Sequence, residues 1–233
     1  MRLRLFCLLS LALLAACGER VAPDSDARIL MLGDSMLATH RGTGQSVGDG
    51  LEALLGEEVI DRSVPGARMI YVFPLSGSAG MRIAAQHRTH TWDWVVLNGG
   101  GNDLLFGCAC ALCETRLERL ISEDGRSGVI PGLVTALRAD GARVVYPGYL
   151  RSPGRWSLID GCRDIGDRFE RRLARLADLD PGVTHVSLAD LVPEGDRSFH
   201  GPDLIHPSPK GSRAIAERIA AVIGAEDEAA PLP

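Results

Sequence analysis

Short apolar runs alternate with longer amphipathic segments along most of this 233-residue chain. Compact apolar runs bounded by turn residues are typical of buried strands, whereas apolar residues at helical spacing predict helices. The predicted strands are Arg28–Leu32, Val59–Ile60, Trp94–Leu97, Arg143–Tyr146 and Val183–Leu188. The predicted helices are Ser46–Leu55, Met81–His87, Glu114–Ser122, Pro131–Asp140, Asp164–Leu179 and Gly211–Ile223. This alternation predicts an α/β fold with a mostly parallel five-stranded sheet covered by helices on both faces.

Three of the predicted strands lead into turns that are rich in glycine and polar residues. The first strand is followed by Gly33–Ser35, the second by Ser63–Gly66 and the third by Asn98–Asp103. The carboxyl ends of parallel strands lie at one edge of a sheet, and α/β folds bind their ligands there. The sequence therefore predicts a functional site at this edge.

The N-terminal segment has the pattern of a signal peptide. Two arginines precede an uncharged apolar run, Leu5–Ala16, which is too short to span a bilayer comfortably. The run ends in Leu14-Ala15-Ala16-Cys17, which resembles the lipobox of bacterial lipoproteins. This resemblance implies cleavage before Cys17 and attachment of a lipid to it. An ordinary signal peptide or an uncleaved anchor is the alternative.

These features divide the chain into a signal peptide (1–16), a lipidated cysteine with a tether (17–27), one domain (28–224) and a frayed tail (225–233). In bacterial lipoproteins an acidic residue after the cysteine often causes retention at the inner membrane, and Gly18 is not acidic. The expected location is therefore the periplasmic side of the cell envelope, at the outer membrane rather than the inner one.

The charge of the chain argues against binding to polyanions. The formal net charge is −5, and loss of residues 1–16 would remove two arginines and no acid. Nucleic acids need compensating cations on the protein, and an acidic surface does not steer anionic polymers towards a site. Nucleic acid is therefore not an expected partner.

Ser35, Asp203 and His206 are the candidate catalytic residues. A serine in a tight turn after a strand holds its hydroxyl at the rim of the sheet, where its own backbone N–H faces a developing oxyanion. A serine hydroxyl needs an adjacent base, and that base needs a partner that fixes its tautomer. Asp203 and His206 are three residues apart and can meet within one turn. His200 is a competing base, but it lacks an acid at the same spacing.

Gly66 and Asn102 are the candidate donors for an oxyanion hole, together with the backbone of Ser35. A glycine N–H and an asparagine amide that follow two neighbouring strands would supply preorganised hydrogen bonds. The run Gly99–Gly101 is not a dinucleotide fingerprint, since no Gly-x-Gly-x-x-Gly opens a helix there.

Taken in order, these motifs resemble those of the SGNH (GDSL) hydrolase family. They are Gly-Asp-Ser at Gly33–Ser35, then Gly66, then Gly-x-Asn-Asp at Gly100–Asp103, then Asp-x-x-His-Pro at Asp203–Pro207. The resemblance implies a flavodoxin-like three-layer fold and hydrolysis of esters or thioesters without a metal or cofactor. It also implies Ser35 as the nucleophile, His206 as the general base and Asp203 as the residue that orients it. The departures are Met36 and Ser208, where the family often has leucine and asparagine, and Pro65 before Gly66.

Four cysteines remain after the predicted cleavage. They are Cys108, Cys110, Cys113 and Cys162. In the cytosol this spacing would suggest a zinc site, but in an oxidising periplasm two disulfides are favoured. Because Cys108 and Cys110 are too close to pair easily, Cys162 is expected to bind one of them and Cys113 the other.

Three functions remain open from the sequence. The leading hypothesis is an ester hydrolase that acts on the acyl chains of lipids or on small esters. The second is an O-acetyl esterase or acyltransferase that acts on envelope polysaccharide. The third is a lipoprotein that uses the fold only for binding, although it would have no reason to keep Ser35, Asn102, Asp203 and His206.

Overall fold

The sheet has five parallel strands. In the computed structural model, which describes residues 18–22, 24–154 and 157–229, the strands are connected in the order β2-β1-β3-β4-β5. They are β1 (Ile29–Leu32), β2 (Val59–Asp61), β3 (Trp94–Leu97), β4 (Arg143–Pro147) and β5 (Val183–Val186). Every adjacent pair of strands is parallel. The order is that of flavodoxin-like folds, in which the topological switch point lies between β1 and β3.

In the described residues, seven α-helices of four or more residues accompany the strands, and the last of them follows β5. They are α1 (Ser35–Ala38), α2 (Val47–Leu55), α3 (Gly101–Cys108), α4 (Glu114–Leu120), α5 (Val129–Ala139), α6 (Arg163–Leu179) and α7 (Pro209–Ala229). Shorter helical turns occupy Arg41–Thr43, Pro74–Ser76, Gly77–Met81, Ile83–Gln86, Asp160–Cys162 and Arg197–Phe199. The helix predicted over Met81–His87 is therefore only one short turn, and helices α1 and α3 were not predicted.

Two hydrophobic cores give the fold its three layers. Successive residues of a strand point to opposite faces of the sheet, so Ile29 and Met31 pack on one side and Leu30 and Leu32 on the other. The first side is covered by α2 and α7, and the second by α4, α5 and α6. This arrangement confirms the predicted three-layer α/β/α fold.

The C-terminal helix is longer than predicted. Helix α7 continues to Ala229, so the expectation of a frayed tail is wrong for residues 225–229. Asp227 explains the extension, because its carboxylate pairs with Arg28 at 2.7 Å and accepts a hydrogen bond from Trp94 Nε1 at 3.1 Å. The predicted signal peptide (1–16), Cys17 and residues 230–233 lie outside the described residues.

In the part of the chain that the structure describes, no helix has both the length and the apolar character needed to cross a membrane.

Candidate active site

Ser35 lies where β1 ends and α1 begins. Asp34 caps this short helix, since its Oδ1 accepts the backbone N–H of Met36 at 2.9 Å. The first turn of a helix leaves the Ser35 N–H without an intrahelical acceptor. Burial raises the pKa of the Asp34 carboxyl, while hydrogen bonds from Met36 N–H and Tyr149 and the charge of His206 oppose that rise. The turn therefore presents both the hydroxyl and the backbone N–H of Ser35 at the edge of the sheet.

His206 links Ser35 to Asp203. The Ser35 Oγ lies 2.8 Å from His206 Nε2, and His206 Nδ1 lies 2.5 Å from Asp203 Oδ2. Asp203 Oδ1 also accepts the backbone N–H groups of Ile205 and His206, at 3.0 and 3.1 Å. Burial raises the pKa of Asp203, but these hydrogen bonds outweigh it and the net pKa is lowered. Asp203 is thus held as a carboxylate that faces one ring nitrogen of His206 while the other faces Ser35.

The turn that carries Asp203 and His206 is locally determined. Leu204 adopts a left-handed backbone with φ of 58°, and its carbonyl accepts the hydroxyl of Ser157 at 2.7 Å. The backbone N–H of Gly201 donates to the carbonyl of His206 at 2.8 Å, which closes the loop. The spacing of three residues therefore brings the acid and the histidine together within one turn, and Ser157 ties this turn to the rest of the domain.

Gly66 and Asn102 also lie at this edge of the sheet. Pro65 and Gly66 occupy the middle of a turn in which Ala67 N–H donates to Val64 O at 3.0 Å, and Gly66 has a φ of 79° that suits glycine. The N–H of Val64 donates to the carbonyl of Gly33 at 3.0 Å, which ties this turn to the segment that carries the serine. No described group accepts a hydrogen bond from the Gly66 N–H.

Asn102 is fixed in the first turn of α3. Its Nδ2 donates to the carbonyl of Ala67 at 3.0 Å, so the amide bridges α3 and the turn of Gly66. An asparagine amide has two N–H donors, and this bond uses one of them. Asn102 lines the same cavity as Ser35 and His206, which leaves the second donor for a bound group.

Two further residues hold these elements together, and the sequence motifs assign a role to neither. The Tyr149 hydroxyl donates to Asp34 Oδ2 at 2.7 Å and accepts the Gly101 N–H at 2.9 Å. Asp103 accepts the backbone N–H groups of Met69 and Ile70, each at 2.9 Å. Burial raises the pKa of Asp103 to about 6, although these hydrogen bonds and nearby arginines act in the opposite direction. The motif Gly-x-Asn-Asp signalled Asp103 by position, but nothing in the sequence signalled Tyr149.

A cavity of about 150 Å³ opens beside Ser35 and His206. Most of its lining is apolar, and the apolar residues are Met36, Leu104, Leu105, Phe106, Leu150, Ile159, Ile165, Phe169 and Ile205. Arg151 and Glu170 also reach its wall, and their charged groups lie 3.5 Å apart. The cavity suits a small apolar group next to the serine.

The described residues contain two disulfides, and one of them borders the cavity. Cys110 is bonded to Cys162 and Cys108 to Cys113, which is one of the two pairings expected from the sequence. Cys110 and Cys162 line the cavity, so the bond joins the end of α3 to the start of α6 beside the serine. In the described residues, no cluster of three or more histidine, cysteine or acidic side chains is arranged to hold a metal ion.

His200 does not take the place of His206. Its two ring nitrogens are buried and have no hydrogen-bond partner within the described residues, and burial lowers its pKa. The serine hydroxyl is bonded to His206 instead.

The fold and this edge of the sheet define an α/β/α hydrolase that acts on ester bonds. The sequence model of the GDSL-like lipase/acylhydrolase family matches residues 31–214, and the chain belongs to this family. The match extends from β1 into α7, and it contains Ser35, Gly66, Asn102, Asp203 and His206.

Solved structures of other proteins share the fold. A proposed SGNH hydrolase from Slackia heliotrinireducens is 24% identical with a TM-score of 0.60, and the match covers 86% of this chain and 100% of that one. A GDSL-like lipase from Bacteroides thetaiotaomicron is 16% identical with a TM-score of 0.60, over 95% and 98% of the two chains. An acetyl xylan esterase is 15% identical with a TM-score of 0.60, over 84% and 100%. No protein of curated function matches the chain significantly.

Proposed function

We propose that this protein hydrolyses carboxylic esters through Ser35, His206 and Asp203 and a covalent acyl-enzyme. The observation that carries the proposal is the continuous chain of hydrogen bonds from Ser35 Oγ through His206 to Asp203, with distances of 2.8 and 2.5 Å. A neutral serine is a weak nucleophile, and a histidine whose tautomer is fixed by a carboxylate activates it.

The reaction follows from the positions of these groups. Ser35 Oγ attacks the ester carbonyl while His206 Nε2 takes its proton, and Asp203 stabilises the imidazolium that forms. His206 then returns the proton to the leaving alcohol, and the acyl group stays on Ser35. A water molecule repeats the two steps on the acyl-enzyme and releases the acid.

The oxyanion that forms in each step has three proposed donors. They are the backbone N–H of Ser35, the backbone N–H of Gly66 and the side-chain amide of Asn102. Each is held by other bonds of the protein, as described above, so none has to reorganise when the charge develops. The free N–H of Gly66 and the bond from Asn102 to Ala67 support this assignment.

The small size of the cavity favours a short acyl group over a long lipid tail. An O-acetyl esterase or acyltransferase that acts on envelope polysaccharide is the second candidate function, and the same observation favours it. A transferase would have to exclude water in favour of an acceptor hydroxyl. The third hypothesis, a protein that only binds, has no observation in its favour.

Hydrolysis of p-nitrophenyl esters from acetyl to long-chain acyl tests the proposal. The full chain is compared with Ser35→Ala and with Ser25→Ala, whose hydroxyl lies outside the site and contacts Glu58. We expect hydrolysis with a short-chain optimum, its loss in Ser35→Ala and its retention in Ser25→Ala. Equal activity of Ser35→Ala and the unmodified chain would contradict the role of Ser35.

We propose in addition that Cys17 carries a lipid and holds the enzyme at the periplasmic side of the outer membrane. The apolar run that ends in Leu14-Ala15-Ala16-Cys17 supports this location. Cys17→Ser should move the protein from the membrane fraction to the soluble fraction, and membrane recovery of the variant would contradict the anchor.

A further inference from the structure

Large apolar side chains are exposed on one part of the surface. In the described part of the chain, the six most exposed are Val72 (75%), Phe73 (66%), Leu75 (88%), Phe106 (63%), Leu112 (92%) and Leu158 (77%). The remaining exposed ones, such as Leu54 and Leu179, are only 39% and 41% accessible. We call the first six the apolar rim. Large exposed apolar patches are uncommon on soluble monomers and mark contact with a protein or a membrane.

The segments that carry the apolar rim are joined to each other. The guanidinium of Arg68 lies 5.6 Å from the centre of the Phe106 ring, and Phe73 packs edge-on against Tyr71. Asp103 of α3 binds the backbone that leads into Val72, and Phe106 lies one turn further along the same helix. The loop that follows β2 is therefore joined to α3.

A disulfide adds the remaining two members. Leu112 follows Cys110 and Leu158 precedes Cys162, and these cysteines are bonded to each other. Phe106 and Ile159 line the cavity beside Ser35. The apolar rim thus borders the candidate active site at Phe106, and its member Leu158 directly precedes Ile159 of the cavity wall.

The less exposed apolar residues provide a contrast. Leu54 lies near the end of α2 that leads into the start of β2, and Leu179 ends α6 just before β5. Both are therefore at the amino edge of the sheet, opposite to Ser35. The strong exposure is confined to the carboxyl edge.

The first described residues leave the domain at this same edge. The N–H of Glu19 donates to the carbonyl of Asp61 at 3.0 Å, and the N–H of Asp61 donates to Glu19 Oε2 at 2.8 Å. Asp61 is the last residue of β2, so these contacts lie at its carboxyl end. The chain that precedes Gly18 includes the uncharged apolar run Leu5–Ala16 and Cys17. A membrane attachment at this N-terminal segment would face the apolar rim towards the bilayer.

From these observations we infer that the apolar rim docks on a lipid bilayer and turns the mouth of the active site towards the membrane surface. The net charge of −5 opposes attraction to anionic lipids, so the contact depends on burial of apolar side chains in the interface and not on charge. Uncharged phosphatidylcholine surfaces are sufficient for it. The inference goes beyond ester hydrolysis, because it concerns where the site faces and not what it cleaves.

Tryptophan placed on the surface tests the inference directly. Leu75→Trp and Leu112→Trp report on the apolar rim, and Leu54→Trp is the matched control at the opposite edge. The full chain is mixed with phosphatidylcholine vesicles, with and without brominated acyl chains, and the fluorescence of each variant is measured relative to the unmodified chain. We expect the two rim variants to shift emission to shorter wavelength and to be quenched by the brominated lipid, with neither effect at position 54.

Three results would overturn the inference. They are an equal response at positions 54 and 75, no response at positions 75 and 112, and a response that requires anionic lipid. A shift that appears without vesicles and grows with protein concentration would instead assign the rim to a second copy of the chain. None of these signals requires turnover, so the result stands whether or not the protein hydrolyses any ester.

Discussion

Tyr149 donates its phenolic hydrogen to Asp34 over 2.7 Å, although the two residues are 115 positions apart. The same hydroxyl accepts the N–H of Gly101 at 2.9 Å. One oxygen therefore joins the loop after β4 to the cap of the serine turn and to the start of α3. The Tyr149 contact sets the position of Ser35 relative to Asn102.

Tyr149→Phe should destabilise the protein by about 1–3 kcal/mol, because Asp34 loses a donor and the Gly101 N–H loses its acceptor. Urea unfolding of the two proteins measures the difference. Tyr71→Phe is the control, since its hydroxyl contacts Ser76 in a partly exposed turn, and its effect should stay within about 0.5 kcal/mol. Equal losses in the two variants would show that the contact with Asp34 has no special weight.

Asp103 should make stability depend on pH. Its folded pKa is raised from 3.8 to about 6, so its favourable contribution is present below pH 3.8 and is lost as the pH rises through 6. The free energy of unfolding of the unmodified chain, minus that of Asp103→Asn, should therefore fall by up to about 3 kcal/mol between pH 4 and pH 7. Urea titrations at several pH values provide the measurement. A difference that stays constant with pH would contradict the raised pKa.

Asn102→Ala should lower kcat by about 100- to 1000-fold with little change in KM, because an oxyanion donor acts mainly in the transition state. Steady-state kinetics on a short-chain p-nitrophenyl ester measure both constants. The unfolding midpoint of the variant serves as the control for loss of the bond to Ala67. An unchanged kcat would remove Asn102 from the proposed oxyanion hole.

The two disulfides should differ in their contribution to stability. Cys110 and Cys162 are 52 residues apart, whereas Cys108 and Cys113 are 5 apart. From loop entropy, the paired serine variants should lose about 4 kcal/mol for the longer loop and about 2 kcal/mol for the shorter one. Each pair is the other's control in urea unfolding. A larger loss for the shorter loop would contradict the entropic account.

Local patterns were sufficient to predict much of the fold and of the candidate site. The strands β1 and β3 are buried on both faces, so they appear in the sequence as continuous apolar runs. Asp203 and His206 meet within one turn, and their spacing alone indicates this. The alternation of strands and helices was likewise enough to predict three layers.

Contacts between distant segments could not be predicted in the same way. Tyr149 is one of several aromatic residues, and only the folded sheet brings its hydroxyl to Asp34. Helix α1 has four residues, which is too short for a periodic pattern. The disulfide pairing depends on a left-handed turn after α3, where Ala109 and Cys110 have φ values of 52° and 56°. This turn separates Cys108 from Cys110, and the spacing of the cysteines does not reveal it.

Labelling with a fluorophosphonate tests the central claim most directly, because this reagent reacts with a serine only when a neighbouring base activates it. The full chain, His206→Ala and His200→Ala are treated with the reagent, and the modified residue is located by mass spectrometry of peptides. The account predicts one adduct, on Ser35, that is retained in His200→Ala and lost in His206→Ala. Absence of an adduct on Ser35 in the folded, unmodified chain, or equal labelling of His206→Ala, would contradict it.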